Sequence, residues 1–139
     1  MYVRTFAVLS FLFLALSTTA GEPTAAAARF PVQLHGVWDA YPLPCVDDGP
    51  SDSDTRIQIA PEVLHGYENN DALRSLEKIS DAPAAWRVVT ISDIAPAELQ
   101  GEADIYVLRG NVLTITNGER SSTYVRCRAA HGTTTDSAR

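Results

Sequence analysis

The sequence predicts an all-β, mainly antiparallel domain: a small up-and-down meander or barrel of about eight strands, with room for one short helix and closed by a disulfide. Three observations lead there. Short runs rich in Val, Ile, Thr and Tyr recur at intervals of about 8 to 12 residues, separated by Pro, Gly and Asn turn signals. The stretch from Asp104 to Cys127 (DIYVLRGNVLTITNGERSSTYVRC) reads as three strands with turns at Arg109-Gly110-Asn111 and Thr116-Asn117-Gly118. The two cysteines, Cys45 and Cys127, stand just after the first strand-like segment and at the end of the last, so a bridge would tie the first strand region to the last.

The chain opens with one positive charge, Arg4, a nearly continuous apolar run from Phe6 to Leu16, and the small residues Ser17 to Ala20. This is the pattern of a secretory signal peptide over 1–20, because the run is shorter than the roughly 20 residues of a membrane span and a cleavable small-residue stretch follows at once. Cleavage is expected after Ala20, with Ala28 as the second choice, and leaves no stable membrane anchor. Removing the first 20 of 139 residues leaves 119, enough for one domain with a modest core. It also removes Arg4, taking the formal net charge from −6 to −7. Such an acidic exported domain is a poor nucleic-acid or anionic-membrane binder, since phosphate surfaces recruit clusters of Lys and Arg. A cationic partner suits it better.

Residues 21–29 read as a flexible leader, 30–128 as the single β-rich domain and 129–139 as a polar, disordered tail. The first strand is expected over Gln33 to Tyr41. From Pro42 to Asp54 the chain holds three prolines, a glycine and four aspartates, which excludes a central strand. It reads as a long loop pinned by Cys45 that exposes Asp47, Asp48, Asp52 and Asp54, the residues assigned to partner binding. Clustered oxygens also suit a hard cation, but the EF-hand spacing is not matched, and no cofactor or metal is assigned.

Arg56 to Ile59 alternates strictly and should point Ile57 and Ile59 inward. A second strand is expected over Val63 to Glu68, then a turn at Asn69-Asn70-Asp71. Over Ala72 to Ser80 helix propensity and leucine spacing compete with the surrounding rhythm of short strands, and the strand is preferred over Ser75 to Ile79. Trp86 to Ile91 is the most strand-like run, with Trp86 and Val88 on one side. Residues 95–102 form a loop in which one helical turn could start at Pro96. Between Ile105 and Leu113 both residue parities are apolar, so one of the two strands there should be buried on both faces. For the last hairpin a three-residue loop is preferred, because it groups Leu113 and Ile115 with Thr123, Val125 and Cys127. A two-residue loop would mix them with Arg120, Ser122 and Arg126.

Gly36-Val37-Trp38 on the first strand resembles the lipocalin-like (calycin) small β-barrels, in which a Gly-x-Trp closes one end and an arginine of the last strand packs over the tryptophan. The resemblance implies a barrel-closing pair of Trp38 with Arg126, or with Arg128 in its place, and a carrier of a small apolar ligand. It covers three residues. The residue-level alternative is a tryptophan that simply anchors a small core.

No catalytic constellation is legible. His35 and His65 lie on separate strands and His131 in the tail, Glu98 and Glu102 fall in a loop, and no nucleophile elbow, zinc-helix motif or phosphate loop occurs. Without a CxxC pair the cysteines suit a structural disulfide in an exported protein. The leading expectation is therefore a periplasmic or secreted, non-enzymatic, protein-binding domain, an inhibitor or immunity-type protein acting on a basic secreted or cell-wall-degrading enzyme. The apolar-ligand carrier and a small periplasmic structural protein are the alternatives.

Overall fold

The computed structural model describes residues 27–42, 44–47 and 52–129. The expected signal peptide, most of the leader, Asp48 and the tail beyond Ala129 lie outside the described residues. The strands are β1 (Gly36–Ala40), β2 (Val46–Asp47), β3 (Ile57–Ile59), β4 (Val63–His65), β5 (Asn70–Asp81), β6 (Ala84–Ser92), β7 (Ala103–Arg109), β8 (Val112–Thr116), β9 (Ser121–Arg126) and β10 (Arg128–Ala129). All but β2 and β10 form a closed barrel in sequential order, with β9 returning to β1. Closure leaves the barrel without a free edge. β2 and β10 make a separate two-stranded parallel ladder. Two 3-10 turns, Val32–Leu34 and Ala97–Leu99, take the place of any longer helix among the described residues, the second starting after Pro96.

Alternation sets the inward face. Ile57 and Ile59 are buried around an exposed Gln58, Leu64 follows on β4, and Trp86 and Val88 on β6 meet Tyr106 and Leu113 from β7 and β8. Trp38, Trp86, Leu34, Ile59, Leu113 and Val88 are the largest fully buried side chains. They fill the interior, as expected for an eight-stranded barrel of short strands. Phe30 joins this core from the entering chain, held by its N–H to the Pro61 carbonyl at 2.7 Å and stacked on Tyr106 with ring centroids 6.1 Å apart.

The disputed segment 72–80 lies entirely in strand β5. Leu73 and Leu76 both pack against the core although they are three positions apart. The pairing with β6 shifts register between Leu73 and Ser75, and this bulge restores an inward direction to Leu76. A spacing that reads as helical in sequence is thus a bulged strand.

Three expectations are corrected. β4 stops at His65, because Gly66 to Asn69 already turns the chain, with the Gly66 N–H on the Asn69 carbonyl at 2.8 Å. The strand buried on both faces is β6, where Ala85 and Val89 are covered as well as Trp86 and Val88. In the last hairpin Leu113 faces Tyr124 and Ile115 faces Ser122 across a four-residue connection, so neither loop length holds and the faces are grouped as in the alternative, with Ser122 and Arg126 on the side of Leu113 and Ile115. Mixing apolar with polar side chains is tolerated inside because Arg126 covers Trp38 at one end while Ser122 lines the mouth at the other.

Candidate functional site at the open end of the barrel

The two ends of the barrel are built differently. One is sealed by the entering chain. The Trp38 indole N–H donates to the Leu34 carbonyl at 2.9 Å, and the Arg126 guanidinium lies 4.0 Å above the Trp38 ring. Arg126 also donates to the carbonyls of His35 and Gln33. Gly36 makes this approach possible, since its φ of +122° disfavours a side chain and an added Cβ would stand 3.2 Å from Arg126 Nη1.

The chain leaves β1 at Tyr41 at the opposite end, where the connections 66–69, 93–102 and 117–120 gather, and local hydrogen bonds fix these three. Asp93 accepts from the N–H and the amide of Asn70, each at 2.8 Å. Gln100 accepts from the Ser92 N–H and donates to the carbonyls of Ser92 and Ala95. Asn117 Oδ1 accepts from the N–H groups of Glu119 and Arg120. The described residues 44–47 and 52–56 instead lie along the outside of β1 as a strap. This strap is pinned by the Cys45–Cys127 disulfide, which joins residues 82 apart in sequence. Beneath it Asp39 accepts from Ser53 at 2.7 Å and Thr55 at 2.8 Å, and pairs with Arg56 at 3.4 Å.

Two adjoining cavities of about 220 and 240 Å³ open between these connections and share Asn69, Asp71, Asp104 and Arg120. Tyr106, Tyr124, Ile115 and Ser122 line the deeper one. Burial pushes the Asp104 carboxyl above its usual range, opposed by Arg120 and reinforced by the charges of Asp71 and Glu102. Burial likewise raises the Tyr106 hydroxyl, with Asp104 and Asp71 adding to it. Around the rim Tyr41, Tyr67, Ile94 and Leu99 are 56 to 65% exposed. Tyr67 and Ile94 border a wide depression of about 410 Å³ together with Asp54, Glu68 and Tyr124.

Charge is distributed along the barrel axis. The loop end carries Asp52, Asp54, Glu68, Asp71, Asp93, Glu98, Glu102, Asp104 and Glu119 against Arg56, Arg74 and Arg120. Toward the sealed end Arg29, Lys78, Arg87, Arg109, Arg126 and Arg128 accompany Glu62, Glu77 and Asp81.

Of the residues assigned from sequence, Cys45 and Cys127 are bonded, and Trp38 and Arg126 are stacked. Asp52 and Asp54 are exposed, and Asp54 reaches the rim beside Tyr67. The Asp47 backbone lies in β2, while its side chain and Asp48 are outside the described residues. His35 Nε2 bonds the Phe30 carbonyl at 2.8 Å and His65 Nδ1 bonds Asn70 Oδ1 at 2.6 Å, both local structural contacts. Glu98 and Glu102 are rim residues. Sequence reasoning missed Asp71, Tyr67, Ile94, Leu99, Asp104 and Tyr106 as site residues. Topology brings them together from four connections and strands, and no local spacing signals that.

No protein-family model matches the chain, and no similar curated protein or solved structure was found. The disulfide fits an oxidising compartment. Among the described residues no helix is long and apolar enough to cross a membrane.

Proposed function

We propose that this chain is an exported, periplasmic or secreted, non-enzymatic binding domain that docks the loop end of its barrel on a basic enzyme and inhibits it. The observation that carries this is the coincidence, at one end, of exposed Tyr67, Ile94 and Leu99 with a surplus of carboxylates. Neighbouring exposed apolar side chains such as Tyr67 and Ile94, rimmed by charge, mark protein interaction surfaces, and aromatic anchors inside an acidic rim select a cationic partner. The alternative, a carrier of an apolar ligand, is disfavoured. Carrier pockets are mostly apolar, whereas both cavities here are lined by carboxylates and other polar groups.

The test is capture from exported fractions with the oxidised protein as bait. A basic hydrolase should be recovered at one-to-one stoichiometry and lose activity on binding. Tyr67→Ala with Ile94→Ala should weaken that complex by about tenfold or more, as expected for truncated anchor residues, without changing the melting temperature. Unaltered affinity in this double variant, or bound lipid in place of a protein, contradicts the reading.

A further inference from the structure

Deep in the mouth two polar groups make no hydrogen bond among the described residues. The Asp104 carboxylate is half-buried and makes no hydrogen bond or close ion pair among the described residues, with Arg120 acting on it only through its charge. Tyr106 is 3% exposed, lines the same cavity, and its hydroxyl makes no hydrogen bond among the described residues either. Among the described residues no side-chain nitrogen or oxygen is sealed off without a partner, so the Tyr106 hydroxyl meets the cavity itself. Buried polar groups are almost always satisfied, and here only the contents of the cavity can do it. Asp71 lines the same space and accepts from Asn69 Nδ2 at 2.9 Å, which turns its remaining acceptor capacity to the mouth.

We infer that the mouth is a receptor for one primary ammonium group on an alkyl stem, presented by the partner as a lysine side chain. This rests on the docking reading above and names what enters the barrel. The chemistry follows from the lining. Asp71 and Asp104 supply two carboxylates, the Tyr106 hydroxyl supplies a neutral acceptor, and an ammonium has three donors to distribute among them. Tyr124, Ile115 and Ile57 give the stem an apolar wall. A metal ion is a weaker occupant, since among the described residues no three His, Cys, Asp or Glu side chains come close enough to hold one. An anion is repelled by Asp71, Asp104 and Glu102, which outnumber Arg120, the one cation among the lining residues. The proximity of Asp71 and Glu102 also raises the cost of ionising Asp104, a cost that a bound cation would relieve.

The site can be tested without the partner. The oxidised protein, labelled with nitrogen-15, is titrated with N-acetyl-lysine methylamide and followed through its backbone amides. Saturable shifts should centre on Asp71, Asp104, Tyr106 and Tyr124, and the neutral norleucine analogue should produce none. Asp71→Asn with Asp104→Asn should lose binding by about tenfold or more. Tyr106→Phe keeps the ring in the core, removes only the hydroxyl, and should weaken binding about threefold. No saturable shift, equal binding in these variants, or equal binding of the neutral analogue overturns the inference. Tighter binding of cadaverine than of the capped lysine overturns the assignment to a protein side chain. These readouts need no enzyme, so failure to capture a basic hydrolase would count against the docking reading alone.

Discussion

Asp39 shows how one carboxylate holds a long connection to the barrel. It faces outward from β1, is 8% exposed, and one oxygen accepts from Ser53, Thr55 and the Ala40 N–H, all of them on or beside the strap. Burial pushes its carboxyl up, but these bonds together with Arg56 outweigh burial and hold it below the usual range. A carboxyl whose folded value is depressed contributes stability above its unfolded value of 3.8, lost as pH falls through the folded value. Asp39→Asn should therefore cost about 2 kcal/mol near neutral pH, and the penalty should shrink in acid, read from urea midpoints across a pH series. Asp104 has the opposite sign, because burial holds its proton in the folded state to higher pH than in the unfolded chain. Its ionisation destabilises the fold as pH rises through that interval. Asp104→Asn should accordingly raise the melting temperature at neutral pH and leave it unchanged well below pH 3.8. A loss of stability at neutral pH would show that the carboxylate is satisfied after all. At the sealed end, Gly36→Ala sets a Cβ against Arg126 at a φ of +122° and should cost about 1 to 3 kcal/mol, measurable as a lower urea midpoint.

At the scale of elements, the cysteine placement and the strand count were legible, and the strand register was legible only where a single face is apolar. β3 and β6 declare their inward residues by alternation, and Ile57, Ile59, Trp86 and Val88 are buried as read. β9 does not. Its inward Ser122, Tyr124 and Arg126 are less apolar than its outward Thr123 and Val125, because the inward set serves a polar mouth and a cation stacked on Trp38. The preference for burying the more apolar face therefore selected the wrong register. β5 was obscured for a different reason, since its bulge imitates helical spacing and only pairing with β4 and β6 resolves the ambiguity. The strap has no such alternation, and its attachment depends on the disulfide and on Asp39. Replacing both Cys45 and Cys127 with serine removes a cross-link between residues 82 apart. On the chain-entropy scale this should cost roughly 4 to 5 kcal/mol, seen as a lower urea midpoint with Trp38 and Trp86 fluorescence still reporting a cooperative transition. An unchanged midpoint would mean that the strap is held without the bond.

For the whole molecule, the acidic net charge was plain from composition, but its concentration at one end was not. Asp54, Glu68, Glu98 and Glu102 are scattered through the sequence, and an up-and-down barrel assigns alternate connections to alternate ends. The topology thus converts a chain-wide surplus of carboxylate into a directed field, and such a field steers association before contact. The consequence can be separated from net charge. Neutralising Asp54, Glu68 and Glu98 as amides changes the charge by the same amount as neutralising Glu62, Glu77 and Asp81, which lie toward the sealed end. Binding to the captured basic enzyme is then followed by stopped flow from low salt to about 0.15 M, where the screening length is about 8 Å. The first set should slow association several-fold at low salt and flatten its salt dependence, while dissociation changes little. The second set should leave the on-rate near that of the parent protein. Equal slowing by both sets would reduce the effect to overall charge and remove the loop end as the docking face. Slowing by the second set alone would place the enzyme at the sealed end, against Arg126 and the entering chain.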